Sequence, residues 1–297
     1  MLKDKLSSTD GPLLLYGITP PKKGVSYEKA LEIANKHKDR ISGIKLDGFV
    51  IYDLQDEKER TSKKRIFDYF ETLNPQEYHA KFLNEYEAVI YKVVGKYSPK
   101  EFENFIKNAN SQNPYVFVGA SSNNEQNSLT LQDSYKITKN LRNDLTIGGI
   151  CIPERHHIKG NEDLRVARKT TRGCEFFITQ AVYDLTRAMS FLDDYSKLGI
   201  KKKRIVFTLT PCGSPKTLEF MKWLGIYISK DVEQLLLDSN DMLEKSLILC
   251  LEIFKLLNSF AKSRDLSIGV NIESISARKV EIDASARLLK KISQMLY

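Results

Sequence analysis

Eight short apolar runs recur along this chain with helix-forming stretches between them, and that alternation limits the fold more than any single motif. The runs cover residues 13–18, 48–52, 88–94, 115–119, 147–152, 176–180, 205–210 and 266–272. They read as strands buried on both faces, as in a parallel sheet. Amphipathic stretches at 27–37, 63–72, 99–109, 131–141, 164–172, 185–198 and 215–224 lie between them. Ser98-Pro99 and Ser214-Pro215 supply a cap residue followed by a first-turn proline. Eight strands alternating with helices in 297 residues are the arithmetic of an α/β fold, a single (β/α)8 TIM barrel over 1–297. An extra helix is predicted at 243–262, and residues 1–10 are expected to form a flexible end.

Composition narrows the function classes. No apolar run approaches the roughly 20 residues of a membrane-spanning helix, and the start lacks the apolar core of a signal peptide, so a cytoplasmic protein without a membrane partner is expected. Four cysteines stand far apart with no Cys-x-x-Cys pair, which suggests neither a zinc site nor a disulfide framework. The formal charge of +8 is spread among acids, and the one dense run, Lys201-Lys202-Lys203-Arg204, reads as a solvated loop. No basic stripe interleaved with aromatics points to nucleic acid. The charge suits anionic small ligands instead.

In a barrel, functional groups gather just after each strand. Those tips hold Thr19-Pro20-Pro21-Lys22, Tyr52-Asp53, Gly119 with Ala120 to Asn123, Pro153-Glu154-Arg155-His156-His157, Thr179-Gln180, Thr210 to Gly213, and Asn271 with Glu273. Amides, hydroxyls and small residues of this kind fit a flat heterocycle with hydrogen-bonding edges. Gln180, at the end of Phe176-Phe177-Ile178-Thr179, is placed to present its amide to such a ligand; the alternative is that Thr179 and Gln180 start a loop. His156 and His157 are adjacent, with no partner at metal-ligand spacing.

Taken in order, Ile18-Thr19-Pro20-Pro21-Lys22, Ile152-Pro153-Glu154-Arg155-His156, Phe177-Ile178-Thr179-Gln180 with Tyr183-Asp184, and Thr210-Pro211 followed by 218–225 resemble the methylenetetrahydrofolate reductases, in register from about 13 to 228. The resemblance implies a barrel holding FAD across its mouth, with NAD(P)H as cosubstrate and methylenetetrahydrofolate as the hydride acceptor. It implies that His156, Gly119, Glu162, Arg165, Arg168 and Lys169 contact the flavin cofactor, and that Gln180 and Tyr52 contact the substrate. A solvated helix face is the more common fate of a pair such as Lys169 and Arg168, and His156 reads equally as a loop cap. A homo-oligomer is left open.

The departures from the family are at the chemistry. Gly17 stands where the reductases carry the glutamate that protonates the folate. Val118 and Ala120 replace an arginine and an aspartate, and Ile51 replaces a threonine. A replacement acid at the same mouth is needed, with Glu273 placed best and Glu154 second. The segments 266–273 and 117–119 look closer to a branch of the family without tightly held flavin. Two readings follow: a reductase of one-carbon metabolism using Glu273 or Glu154, or a relative that binds a folate, flavin or other pterin-like ligand without reducing it, as an accessory subunit or for altered chemistry.

Overall fold

The computed structural model describes residues 1–57, 64–119 and 129–297. Eight parallel strands close into a barrel in chain order: β1 (Leu14–Ile18), β2 (Gly48–Ile51), β3 (Ala88–Val93), β4 (Tyr115–Val118), β5 (Ile147–Cys151), β6 (Cys174–Ala181), β7 (Arg204–Leu209) and β8 (Ile268–Ile272). β8 pairs with both β7 and β1, which seals the ring. All eight strands fall where the apolar runs predict them. Twelve α-helices lie among the described residues: α1 (Leu2–Ser7), α2 (Tyr27–Ile41), α3 (Pro75–Phe82), α4 (Pro99–Lys107), α5 (Leu131–Leu141), α6 (Pro153–Lys159), α7 (Glu162–Thr171), α8 (Leu185–Lys197), α9 (Pro215–Trp223), α10 (Lys230–Leu237), α11 (Met242–Lys262) and α12 (Lys279–Leu296).

Local chemistry sets many helix starts. Ser26, Asn74, Ser98, Thr130, Asp184, Ser214, Ser229 and Asp241 each cap one with a side-chain oxygen, and Ser98 forms a reciprocal box with Glu101. Alternation along the strands divides the core in two. Leu13, Leu15, Val50, Val89, Val116, Phe176, Ile178 and Val206 fill the lumen, and a larger apolar shell packs between strands and helices. Gly148 makes room for one of these, since a Cβ there would meet the Phe176 ring at 2.5 Å.

Three sequence expectations are corrected. Residues 64–72 form no helix, and Lys63 lies outside the described residues. The helix starts later, at Pro75, where Asn74 and Pro75 supply cap and first turn. The segment before it is irregular and held by its neighbours: Thr72 bridges Lys22, Leu73 N–H donates to Pro21 O, and Phe67 packs edge-on against Phe220 with centroids 4.9 Å apart. It links the tip of β1 to α9, the helix after β7.

The first residues do not fray. They form α1, whose Leu2 and Leu6 are fully buried against the lumen cluster and close the barrel floor. Nor is the basic run simply a solvated loop. Lys203 pairs with Glu175 at 2.5 Å, and Arg204 is 0% exposed, with its guanidinium donating to Ser8 O, Gly11 O and Asp10 O at 2.8–3.0 Å. Both chain ends meet at Asp47, whose carboxylate accepts from Lys5 Nζ, Leu14 N–H and the Tyr297 hydroxyl. No helix among the described residues is long and apolar enough to cross a membrane.

Candidate ligand site at the barrel mouth

Alternation along β1 sends Gly17 into the lumen, on the side of Leu15. A Cβ at Gly17 would lie 2.9 Å from Glu273 Cβ and 2.9 Å from both Cε2 and the hydroxyl of Tyr52. Those residues follow β8 and β2, the two strands that flank β1. Glu273 and Tyr52 therefore hold the space that a side chain at 17 would need. Gly17→Ala should force one of them aside and destabilise the protein by about 1–3 kcal/mol, the usual cost of overpacking. An unchanged denaturation midpoint would show that the two side chains yield freely.

The Tyr52 hydroxyl accepts from Asn271 Nδ2 at 2.8 Å, and the same nitrogen reaches Thr208 Oγ1 at 3.2 Å. A phenol that accepts from an amide has its one proton left to donate, and the Glu273 carboxyl is its partner. Burial pushes Glu273 up to about 7, against the downward pull of the Tyr52 hydrogen bond. Burial also raises the Tyr52 phenol well above its ordinary value, and the Glu273 charge adds to that. Tyr91 sets its ring edge against Tyr52, with centroids 4.8 Å apart. Glu273 itself is half-buried. A carboxyl poised near neutrality, steered by a phenol and open on one side, is equipped to give a proton to a bound base.

Gln180 lies near the end of β6, at the irregularity in its pairing with β7 between Ile178 and Ala181. Its Nε2 donates to Leu224 O at 2.7 Å, leaving a buried Oε1 without a hydrogen-bond partner. Asn271 Oδ1 is likewise buried and unpartnered. These amides present acceptors to the site. The sequence names Asn271 as a tip residue without a role. The signal was an amide inside the apolar run Ile268-Gly269-Val270-Asn271-Ile272.

The other expected site residues separate from this group. His156, 5% exposed, sits among the helices rather than at a loop end: Nε2 lies 3.0 Å from Asp194 Oδ2 on α8, Nδ1 3.4 Å from Asp163 Oδ1 on α7, and the ring meets Phe191 edge-on. Lys169 donates to Ile150 O and packs along β5. Glu162 accepts from Ile152 N–H at 3.0 Å and lies 3.1 Å from Arg165 Nε, tying the end of β5 to α7. Arg168 is exposed on α7. A Cβ at Gly119 would meet Leu131 Cβ at 3.8 Å, an ordinary contact, and the Gly119 carbonyl accepts from Gln55 at 3.4 Å.

Each of these side chains lies against protein groups: His156 between Asp163 on α7 and Asp194 on α8, Lys169 and Glu162 at the end of β5, and Arg165 beside Glu162. Of the departures noted in the sequence, Ile51 faces the outer core, Val118 borders the lumen, and Ala120 lies outside the described residues together with Ser121, Ser122 and Asn123. Glu154, the second candidate acid, stands after β5 and not beside Gly17. It is 4% exposed, and burial pushes it up to about 7. Among the described residues no cluster of His, Cys, Asp or Glu is arranged to hold a metal ion.

No protein-family model matches this chain, and no curated protein does. Among solved structures, the chain is similar to an uncharacterized protein from Clostridium thermocellum that binds two copies of 5-methyl-5,6,7,8-tetrahydrofolic acid. The identity is 44%, with 99% of this chain and 100% of that one covered and a TM-score of 0.86. Apo-MsnO8 (10% identity, 97% and 99% covered, TM-score 0.55) and the xylanase XynB from Paenibacillus barcinonensis (8%, 91% and 87%, 0.52) share the fold alone.

Proposed function

This chain belongs to the same family as the folate-binding protein from Clostridium thermocellum, and from that premise we propose that it binds a reduced folate at the barrel mouth, between Gln180 and the pair Glu273 and Tyr52. The observation that carries the reading is the arrangement around Gly17. A missing side chain on β1 is matched by a carboxyl from β8 and a phenol from β2 in the same space. Unpartnered acceptors at Gln180 and Asn271 suit a heterocycle rich in N–H donors. Aromatic and aliphatic walls from Tyr52, Tyr91, Val118 and Ile150 suit its flat faces.

A second reading adds chemistry to the binding: reduction of a folate-bound methylene group, as in the methylenetetrahydrofolate reductases that the sequence resembles. Glu273 favours it, because a carboxyl near 7 can supply the proton that this reaction needs. Protonation of the bridging amine breaks its bond to the methylene carbon and leaves an iminium. Hydride from NAD(P)H then completes the methyl group. No step is drawn through FAD, since the residues expected to hold it have other partners.

Calorimetric titration with 5-methyltetrahydrofolate tests the binding, and oxidation of NADH or NADPH in the presence of methylenetetrahydrofolate tests the reaction. We expect saturable folate binding without added flavin. Failure to bind either folate at millimolar concentration would remove the reading.

A further inference from the structure

Glu154 is a second carboxyl with an unfilled need. It is 4% exposed, and neither of its oxygens has a hydrogen-bond partner in another residue among the described ones, its own backbone N–H being the donor nearest to it. The charged groups around it are engaged elsewhere. Arg187 lies 3.2 Å from Asp184 and stacks on the Tyr227 ring at 3.3 Å, while Glu162 is held by Ile152 N–H and Arg165. Buried acceptors without donors are costly, and native structures keep them where something else supplies the donor.

The neighbouring strand tip has the same need. The register ends with Cys151 paired to Thr179, so Gln180 follows one residue later on β6 and Glu154 three residues later after β5. Gln180 has spent its amide nitrogen on Leu224 O and keeps an unpartnered Oε1. The adjoining ends of β5 and β6 thus offer three acceptor oxygens, two from Glu154 and one from Gln180, with no donor from another residue for any of them among the described ones.

We propose that Glu154, together with Gln180, receives the donor edge of the bound heterocycle, the ring N–H and exocyclic amino group that a 2-amino-4-oxopyrimidine ring carries side by side. Two adjacent N–H donors match the two oxygens of one carboxylate as a guanidinium does. The assignment rests on the reading that the ligand is a reduced folate. It gives the two carboxyls different roles. Glu154 accepts from the ring edge and orients it, while Glu273, beside Gly17, faces the nitrogen to be protonated.

The proposal is tested by calorimetric titration of the wild type and Glu154→Gln with 5-methyltetrahydrofolate and with its 2-desamino-2-methyl analogue, which lacks the exocyclic donor. The wild type should prefer the parent folate. Glu154→Gln should bind the parent about 10- to 100-fold more weakly, the loss of a charge-assisted pair, and the analogue almost as well as the wild type does. Glu154→Asp, which keeps the charge, should show the same parent-selective loss to a smaller extent and serves if the glutamine variant folds poorly. An equal loss for both ligands, or no loss for either, would overturn the edge assignment while leaving folate binding intact. A wild type that binds neither ligand would overturn the folate reading and this assignment with it.

Discussion

Glu273→Gln is expected to slow folate turnover by about 10²- to 10⁴-fold, the usual worth of a positioned general acid, while binding of 5-methyltetrahydrofolate stays within a few-fold. The glutamine keeps the size and the hydrogen bond to Tyr52 but has no proton to give. Pre-steady-state and steady-state oxidation of reduced nicotinamide with methylenetetrahydrofolate would measure it. An unchanged rate would end the case for Glu273 as the acid, and a wild type that binds folate without turnover would leave the binding reading alone.

The same substitution has a signature that needs no activity. Folding holds Glu273 at about 7, above its ordinary 4.5. Between those values the folded protein keeps a proton that the unfolded chain has released. Stability is therefore fully present below 4.5 and is lost as pH rises through 7. Glu273→Gln should be more stable than the wild type at about pH 8, by up to about 3 kcal/mol, and equal to it near about pH 4. Glu154, also raised to about 7, contributes with the same sign, so the slope should flatten only in part. Urea unfolding across that range decides it, and parallel curves for variant and wild type would contradict the assigned burial.

Arg204→Ala should have the largest effect on the fold, a loss of about 3–5 kcal/mol. The guanidinium sits at the start of β7, fully buried, and donates to three carbonyls of the segment after α1. Removing it empties a large interior volume and releases the turn that presses Leu2 and Leu6 into the barrel floor. Denaturant unfolding should show the drop, and hydrogen exchange in residues 2–13 should accelerate well beyond the rest of the chain. Unaltered protection there would mean that α1 docks through its leucines alone.

How much of this was legible in sequence depends on the range of the interaction. The strands were readable because each is a buried apolar run whose pattern is local, and helices opened by Ser98-Pro99 and Ser214-Pro215 were readable because a cap and a fixed φ act within one turn. The stretch at 64–72 misled because its apolar spacing serves contacts with Pro21, Lys22 and Phe220, none of which a window of its own sequence contains. Arg204 was hidden for the same reason, since its partners lie almost 200 residues away.

At the site, Glu273, Tyr52 and Gln180 could be named from strand-tip position alone. Their relation to Gly17 could not, because it depends on which strands become neighbours when the ring closes. His156 and Lys169 show the converse. Their motif spacing is intact, but their side chains turn toward Asp163, Asp194 and Ile150 O, and spacing along a helix does not report which way a residue is used.

The carboxylate of Asp47 carries a kinetic implication. It gathers Lys5, the start of β1 and Tyr297, partners up to 250 residues away from it, so its shell can be completed only after the last helix has been laid down. Closing so long a loop costs chain entropy before any contact returns it, so slow refolding is expected, with the Asp47 contacts formed late. The same arrangement works in reverse once the ring is shut. Neither terminal helix can peel away without disturbing the anchor of the other, so an opening that begins at one end is felt at both.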